Sequence, residues 1–459
     1  MAVINSSCVG GRLSLAAMLV ALAGCSQIDP QRSSCVAGLW QTQDGVAAAA
    51  NVREDNTLRI TAFDGRAWTL APEERRWRGS LGQKSGTGDT IVDDRACGEG
   101  RLTMTFRGTT LTWVRTPLNE HRVSFRSAGA VLNGKLVLPG GVEPKSLVVL
   151  LHGSEKRSAI ASNPLQYLLP SQGVAVFAFD KRGTGNSEGS YTQNFDVLAR
   201  DAVAALATAR KSLNKPGVPV GLQGGSQGAW IATLAASRAP AAKPDFVVAA
   251  YGLAQRPLDE DREEVFDDLR RRGFDDPAVL AKAREITDAT AAVMVSGFNA
   301  GFERLEALKE KYQGEPWYSV IEGEFTGDFL SMPGWLLQLV GPVIDDDTTW
   351  NYDPLPDITK LSMPMLWVLA GKDSEAPSAT TLAILQQLQQ QGHATIDIAL
   401  FPEAEHAMVT FTERNFERTP TGIVPGYFTV LAGWCNDRQL RNAPGAVTWL
   451  GRPTQGTAP

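Results

Sequence analysis

Residues 218–234 read VPVGLQGGSQGAWIATL, and this stretch decides the fold. The apolar run at residues 218–223 predicts a β-strand, and residues 228–239 predict a helix that begins almost at once. Between them lies GGSQG, which fits the pattern G-x-S-x-G around Ser226. A turn this tight is strained and pushes the serine hydroxyl outward, and glycines two positions either side prevent collision with neighbouring backbone. The pattern therefore predicts Ser226 as a nucleophile.

A serine nucleophile needs a base within hydrogen-bond reach and a third group that orients the base. The chain has four histidines. His121 comes too early in the chain, in or beside the N-terminal β-rich part, and His393 lies in a Gln- and Gly-rich connection typical of the surface. His406 follows an apolar run that ends at Phe401, so its loop is expected to reach the carboxyl edge of a parallel sheet. We predict His406 as the base.

The orienting acid is expected between the serine and the base in the chain, at the end of a strand. Asp373 meets this expectation because it follows the apolar run at residues 365–369. Glu375 is close enough to replace it, and Glu405 is a weaker alternative because adjacent side chains point apart. The structural alternative for Asp373 is a helix cap near Ser378.

Acyl transfer also needs two backbone N–H groups aimed at the developing oxyanion. The N–H of Gln227 is the first, because this residue follows the nucleophile. The second is expected in the segment LLHGS at residues 150–154, with Ser154 as the donor and Gly153 as the alternative. We expect His152 in this segment to brace the loop by hydrogen bonding.

The chain from about residue 144 onward alternates apolar runs with helical segments, which indicates an α/β fold with a mostly parallel sheet covered on both faces. The runs are residues 147–151, 174–179, 218–223, 246–250, 365–369 and 396–401, and a helix is predicted at residues 196–213. Residues 254–350 interrupt the alternation and predict an inserted helical cap. The core therefore has two parts, residues 119–253 and 351–445, and a C-terminal tail follows at residues 446–459.

The part before this core, residues 35–118, has short alternating runs that are typical of strands. Residues 102–114 predict a hairpin. A second hairpin is predicted at residues 123–138, with turn residues at Gly129 and at residues 133–134. We interpret the part before the core as a small β domain without catalytic residues.

The first residues have the pattern of an export signal, with Arg12 before an apolar stretch at residues 13–21. The sequence LAGC that ends at Cys25 resembles the lipobox of bacterial lipoproteins, which implies a signal peptide at residues 1–24 and a lipid anchor on Cys25. Ser26 in place of aspartate favours the periplasmic face of the outer membrane. The alternative is an ordinary signal peptide and a soluble periplasmic or secreted protein. Residues 25–34 are then a linker.

Five cysteines fit such an exported chain. Processing removes Cys8 and modifies Cys25, and the other three lie in a compartment that permits disulfides. Cys35 and Cys97 bracket the small β domain and are the predicted bridge, which leaves Cys435 as a buried thiol. The alternative is that all three are buried thiols. The sequence has no C-x-x-C motif or Cys/His cluster, so we predict no metal site.

The composition bears on partners. A formal net charge of −6, with 20% charged residues and no basic stripe, argues against a nucleic-acid partner. The predicted chemistry needs no organic cofactor. The sequence leaves the oligomeric state open.

Taken together, these motifs resemble the α/β-hydrolase superfamily over residues 123–434. The segment DKRGTGNS at residues 180–187 is similar to the D-x-R-G-x-G-x-S turn of that superfamily. The approach to Asp373 resembles the dienelactone-hydrolase-like and serine-aminopeptidase-like carboxylesterases. The charged residues 155–157 depart from the pattern, because relatives often carry small or uncharged residues there. The resemblance implies an α/β-hydrolase fold with an inserted helical cap, here preceded by a small N-terminal β domain.

The resemblance also implies hydrolysis of small-molecule carboxylic esters through an acyl-enzyme, carried by the three catalytic residues predicted above. We expect the cap aromatics around Trp317 and Trp335 to form an apolar acyl pocket. One alternative is a serine peptidase, in which the acidic residues 345–347 bind the amino terminus of the substrate. Another is a non-catalytic binding protein of the cell envelope that retains the fold.

Overall fold

The computed structural model describes residues 30–42, 44–82, 88–239, 243–392, 396–440 and 448–450. The predicted signal peptide, Cys25 and His393 lie outside the described residues. Within these ranges, no helix combines the length and the apolar character needed to cross a bilayer.

The N-terminal part is a closed antiparallel β-barrel that follows a short helix, α1 (Pro30–Val36). Strands β1 and β8 pair and close the barrel. Its core contains the buried side chains of Trp40, Trp68, Trp77 and Trp113. The barrel strands are β1 (Gly38–Gln41), β2 (Ala47–Val52), β3 (Leu58–Ala62), β4 (Ala67–Glu73), β5 (Arg76–Leu81), β6 (Thr90–Asp93), β7 (Arg101–Phe106) and β8 (Thr109–Arg115).

Helix α1 attaches the start of the described chain to the barrel. The Arg32 guanidinium forms an ion pair with Asp94 and lies over the ring of Trp77. Cys35 is joined to Cys97 by a disulfide. The predicted linker at residues 25–34 is therefore wrong at its end, because residues 30–34 belong to a helix held by these contacts.

The second sheet has nine strands in the order β19-β16-β15-β14-β13-β11-β12-β10-β9, and β17 and β18 form a separate hairpin. Neighbours from β12 across to β16 are parallel, whereas β9, β10 and β19 pair antiparallel. The strands are β9 (Asn119–Ser127), β10 (Ala130–Leu138), β11 (Ser146–Leu151), β12 (Val174–Phe179), β13 (Val220–Gly225), β14 (Val247–Ala250), β15 (Met365–Ala370), β16 (Ile396–Phe401), β17 (Val409–Arg414), β18 (Glu417–Ile423) and β19 (Thr448–Leu450).

Three features of this sheet differ from the sequence-based expectation. Residues 133–134 are not a turn but lie inside β10, where a β-carbon on Gly134 would be 2.6 Å from the ring of Phe177. Part of the predicted C-terminal tail, residues 448–450, is a strand that pairs with β16. His121 is exposed on β9, in this sheet and not in the barrel.

Helices cover both faces of the sheet and form the cap. α4 and α5 pack on one face and α3 and α13 on the other, and α6 to α10 form an insertion between β14 and β15 with a core of its own. The helices are α2 (Ala159–Ser162), α3 (Leu165–Leu168), α4 (Phe195–Leu213), α5 (Gln227–Arg238), α6 (Pro257–Arg271), α7 (Pro277–Val295), α8 (Phe302–Tyr312), α9 (Thr326–Ser331), α10 (Gly334–Ile344), α11 (Leu355–Lys360), α12 (Ala379–Gln390) and α13 (Tyr427–Asp437).

The hairpin β17–β18 connects the two parts of the molecule. It follows His406 in the chain, and the N–H of Ile423 at its end donates to the carbonyl of Gly65 in the barrel at 2.7 Å. A β-carbon on Gly65 would lie 2.2 Å from the Ile423 carbonyl oxygen, so only glycine permits this approach. This hairpin was not predicted from the sequence.

Candidate active site

The turn between β13 and α5 holds Ser226 in a strained conformation, with φ 53° and ψ −130°. Neighbouring backbone atoms leave no room for a side chain at the glycines around it. A β-carbon on Gly224 would lie 1.9 Å from the carbonyl oxygen of Gly228, and one on Gly228 would lie 2.7 Å from that of Leu151. The strand, the helix and the glycine spacing are those that the G-x-S-x-G pattern predicts.

His406 and Asp373 meet at the carboxyl edge of the sheet. Asp373 follows β15 and is buried, and His406 begins a short 3-10 turn after β16. His406 Nδ1 lies 3.1 Å from both carboxylate oxygens of Asp373. Asp373 also accepts hydrogen bonds from the N–H of Glu375 at 3.2 Å and of Ala376 at 2.7 Å. The carboxylate is thus fixed by its own loop and aimed at one side of the imidazole.

Ser226 and His406 line the same cleft, whose volume is about 660 Å³. In the described part of the chain, no hydrogen bond joins their side chains; His406 Nε2 instead lies 3.6 Å from a carboxylate oxygen of Glu375. Burial lowers the pKa of His406, but the carboxylates of Asp373 and Glu375 outweigh it and raise the pKa to about 10. The negative charge around the imidazole therefore favours its protonated form.

Glu405 is not a partner of the imidazole. Its carboxylate accepts hydrogen bonds from the N–H of Ser374 at 2.6 Å and from the N–H of His406 at 3.0 Å. The Arg418 guanidinium on β18 binds this carboxylate and also donates to the carbonyl of Lys372 at 2.5 Å. Glu405 and Arg418 therefore join the loops that carry His406 and Asp373. Arg418 had no sequence signal because its hairpin was not predicted.

The predicted oxyanion donors flank the serine. The position of a β-carbon on Gly153 would be 3.4 Å from Cβ of Ser226. No hydrogen bond formed by the described residues uses the backbone N–H of Ser154 or of Gln227. Lys181 Nζ donates to the carbonyl of Gly153 at 2.8 Å and holds this loop. Both predicted donors therefore lie in segments that border Ser226.

His152 has a structural role in its loop. It is buried, and its Nε2 contacts the carbonyl oxygen of Phe179. Burial lowers the pKa of His152, and so does nearby Lys181. The expectation that His152 braces its loop is confirmed.

The turn at residues 180–187 is held by buried hydrogen bonds. Arg182 forms two hydrogen bonds with the carboxylate of Asp201, at 2.8 Å and 2.6 Å. Asp180 accepts hydrogen bonds from Ser158 Oγ at 2.6 Å and from the N–H of Ile160 at 3.1 Å. Asp180 therefore fixes the start of α2, which follows residues 150–154, and Arg182 joins the turn to α4.

Tyr251 is a cleft residue that the sequence analysis missed. It directly follows β14 with φ 39°, and its ring packs edge-on against the imidazole of His406 at 5.3 Å between centroids. A β-carbon on Gly225 would lie 2.2 Å from its hydroxyl oxygen. Burial raises the pKa of Tyr251. Its place at the carboxyl end of a core strand was the available signal.

The aromatic residues of the cleft are not those predicted. Trp317 is buried in the core of the cap, and the side chain of Trp335 is 68% exposed. The prediction of an acyl pocket around these two residues is therefore wrong. Trp317 packs inside the core of the cap, and Trp335 lies at the surface. The cleft is lined instead by aromatic residues of the core, the cap boundary and α13, namely Phe195, Trp230, Trp350, Tyr427 and Phe428.

Carboxylates from the cap and the acid loop lie on the side of the cleft near His406. They are Glu260, Glu324 and Glu375. Burial and the neighbouring charge of Glu324 raise the pKa of Glu260 well above its usual value. Of residues 345–347, Asp346 lines the cleft, whereas the Asp347 carboxylate accepts a hydrogen bond from Asn194. Across the described ranges, no group of three or more His, Cys, Asp or Glu side chains is arranged to hold a metal ion.

Comparison with known proteins gives partial matches. Residues 142–258 match the family described as serine aminopeptidase, S33. A monoglyceride lipase homolog of monkeypox virus is 37% identical over 99 residues, 21% of this chain and 35% of that protein. Monoglyceride lipase of Homo sapiens is 35% identical over 99 residues, 21% of this chain and 32% of that protein. The matched segment thus spans about a third of these relatives.

Among solved structures, an esterase of Pyrococcus furiosus is similar over 63% of this chain and 84% of its own, with 18% identity and a TM-score of 0.39. The matched family segment contains β11, β12, β13, β14 and the turn with Ser226. The family match and the sequence relatives support an α/β-hydrolase.

Proposed function

We propose that this chain is a serine hydrolase that cleaves carboxylic esters. The observation that carries the proposal is the strained placement of Ser226 in one cleft with His406, whose Nδ1 lies 3.1 Å from Asp373. The names of the relatives, monoglyceride lipases, favour an ester bond as the target.

In the proposed reaction, Ser226 Oγ attacks the ester carbonyl while its proton moves to His406 Nε2. Asp373 orients the imidazole and stabilises its positive charge. The N–H groups of Ser154 and Gln227 donate to the oxyanion, which collapses as the alcohol leaves with the proton from His406. Water, deprotonated by His406, then hydrolyses the acyl-enzyme and restores the serine hydroxyl.

Labelling with a fluorophosphonate probe tests the nucleophile. We expect the probe to label the wild-type chain and not Ser226→Ala, and p-nitrophenyl esters with short and medium acyl chains to be hydrolysed. Ser171→Ala, which removes a hydroxyl bound to the carbonyl of Leu168, is the control and keeps both properties. An unlabelled wild-type protein that turns over no ester would instead support a non-catalytic binding protein.

A peptidase is the second candidate. The carboxylates of Glu260 and Glu324 line the cleft on the side of His406, where they suit the amino terminus of a peptide. The description of the matched family as serine aminopeptidase favours the same reaction. Aminoacyl p-nitroanilides and matched p-nitrophenyl esters separate the two functions, and amide turnover that rivals ester turnover would favour the peptidase.

We also propose that the chain is exported and anchored through a lipid on Cys25 at the periplasmic face of the outer membrane. The LAGC sequence supports this proposal. Expression in a bacterium, metabolic labelling with radioactive palmitate and membrane fractionation test it. Label on the wild-type protein that is lost in Cys25→Ser would support the anchor, and an unlabelled wild-type protein in the soluble fraction would contradict it.

A further inference from the structure

Three arginines line the side of the cleft where the barrel meets the loop after β11. Arg53 follows β2, Arg59 lies on β3, and Arg157 belongs to the charged segment that departs from the superfamily pattern. Among the described residues, none of the three forms an ion pair with a carboxylate within 4 Å. Cationic side chains that line a cleft without a carboxylate partner point to a ligand that supplies the opposite charge.

Arg59 is the most buried of the three, with 6% of its surface exposed. Its guanidinium donates to Thr69 Oγ1 at 2.6 Å and to the carbonyl of Gly82 at 3.2 Å, which are both neutral groups. Burial and the nearby charge of Arg53 lower the pKa of Arg59 to about 9. A buried cation held by neutral acceptors alone is costly, and an anion in the cleft relieves that cost.

Arg53 repeats this pattern in the turn between β2 and β3, and Arg157 lies nearby in the loop after β11. Arg53 Nε is buried without a hydrogen-bond partner. Burial lowers the pKa of Arg53, and so does the charge of Arg157. Asp55 is the neighbouring carboxylate, but it accepts hydrogen bonds from the N–H of Thr57 at 3.0 Å and from Thr57 Oγ1 at 2.6 Å. For Arg53, the repulsion from Arg157 therefore outweighs the attraction to Asp55.

The arginines and the cap carboxylates of the cleft have different charged neighbours. The charges that act on Arg53 are Arg157 and Asp55, and the charge that acts on Arg59 is Arg53. The charged groups that act on the cap carboxylate Glu260 are different ones, namely Glu324, His406, Asp373 and Glu375. The remaining acids of the cleft, Glu155 and Asp346, act on the buried Lys181. The three arginines thus form a cationic patch on the barrel side of the cleft, with Asp55 as the one carboxylate, among the residues that the structure describes, that acts on Arg53.

The barrel is fixed against the loop that carries this patch. The Glu54 carboxylate, next to Arg53, accepts a hydrogen bond from the N–H of Ser158, next to Arg157, at 3.1 Å. The patch is therefore assembled from two parts of the chain that contact each other beside the oxyanion loop. Such preorganisation lowers the entropic cost of binding a charged ligand group.

We propose that Arg53, Arg59 and Arg157 bind an anionic group of the substrate, so that the preferred substrates are esters that carry a carboxylate, sulfate or phosphate. The inference rests on the proposed ester hydrolase and gives its N-terminal barrel a role in substrate selection. Guanidinium groups suit this role because their planar donors bind two oxygens of such an anion at once.

A matched substrate pair tests the preference. Mono-p-nitrophenyl glutarate carries a carboxylate at the end of its acyl chain, and p-nitrophenyl pentanoate is a neutral ester of the same chain length. We expect the wild-type enzyme to have a kcat/KM at least tenfold higher for the glutarate ester, because one charge-assisted hydrogen bond stabilises binding by about that factor. The ratio of the two values should fall toward one in Arg53→Gln and in Arg157→Gln.

The control is Arg66→Gln, which removes a barrel arginine paired with Asp64 at the surface and should leave the ratio unchanged. Calorimetric titration of glutarate and of inorganic phosphate into Ser226→Ala measures binding without turnover. We expect binding that Arg157→Gln weakens at least tenfold in the same background. The relative affinities of glutarate and phosphate distinguish a carboxylate from a phosphate ligand.

The two proposals fail in different ways. Equal kcat/KM for both esters, together with no binding of either anion to Ser226→Ala, would overturn the anionic-substrate inference and leave the ester hydrolase intact. Anion binding without turnover of either ester and without fluorophosphonate labelling would overturn the hydrolase, and with it the substrate class. A ratio that does not change in Arg53→Gln and Arg157→Gln would also overturn the inference.

Discussion

Replacing Glu375 with glutamine should make the proposed enzyme more active near neutral pH. The Glu375 carboxylate lies 3.6 Å from His406 Nε2, the atom that must accept the proton of the serine. A protonated imidazole cannot act as the base, so kcat/KM should rise as the pH increases through the pKa of His406. With Asp373 and Glu375 raising this pKa to about 10, the rise should lie well above the usual range of histidine.

The size of the effect follows from the distance and the exposure. Two unit charges about 4 Å apart attract by about 1 kcal/mol in water and by about 4 kcal/mol at an effective dielectric constant of about 20. The Glu375 side chain is 72% exposed, so the lower figure applies. Since a pKa change of one corresponds to about 1.4 kcal/mol, E375Q should lower the pKa of His406 by about 0.7. Activity at pH 7 should then rise about fivefold.

The measurement is kcat/KM for one neutral p-nitrophenyl ester across the pH range in which the fold is intact. E403Q is the matched control, because Glu403 precedes the same histidine and is also exposed but pairs with Lys372. We expect the midpoint to move to lower pH in E375Q and to stay in place in E403Q. An unchanged midpoint in E375Q, or an equal change in both variants, would refute the electrostatic coupling.

Three further changes test the framework of the site. R418M removes the cation that joins the two catalytic loops, and urea denaturation should show a loss of about 3 kcal/mol in the free energy of unfolding together with a lower kcat. G224A places a β-carbon 1.9 Å from the Gly228 carbonyl oxygen and should abolish fluorophosphonate labelling, whereas G433A, in open space on α13, should not; equal labelling of both would contradict the packing argument. C97S opens a bridge with a sequence separation of 62, and loop entropy predicts a loss of about 4 kcal/mol, measured on the non-reduced protein; unchanged stability would contradict it.

The three proposed catalytic residues could be selected from sequence because their signals are local. Glycine is required at the positions around Ser226, because neighbouring carbonyl oxygens occupy the space that a side chain would need. Asp373 and His406 each follow an apolar run, and parallel strands bring their carboxyl ends to one edge. A short pattern and a topological rule were enough to propose these three positions and to expect them at one edge of the sheet.

The surroundings of the site were not predictable in this way because they depend on contacts between distant segments. Trp317 and Trp335 have the same residue type and lie close together in the chain, yet one is buried and the other exposed. Arg59 belongs to a barrel strand, and its place in the cleft depends on how the barrel packs against the core. Tertiary packing determines the environment of such residues, and the local spacing of apolar residues in the sequence does not predict it.

The hairpin β17–β18 makes the barrel relevant to the geometry of the base. One end of the hairpin binds the barrel through Ile423 and Gly65, and Arg418 in its second strand binds the carboxylate of Glu405. Glu405 in turn accepts a hydrogen bond from the N–H of His406. Because these contacts are continuous, a displacement of the barrel would move both the cationic patch and the loop of the base. The barrel therefore contributes to the cleft of the proposed enzyme through the residues that line it and through the hairpin that it holds.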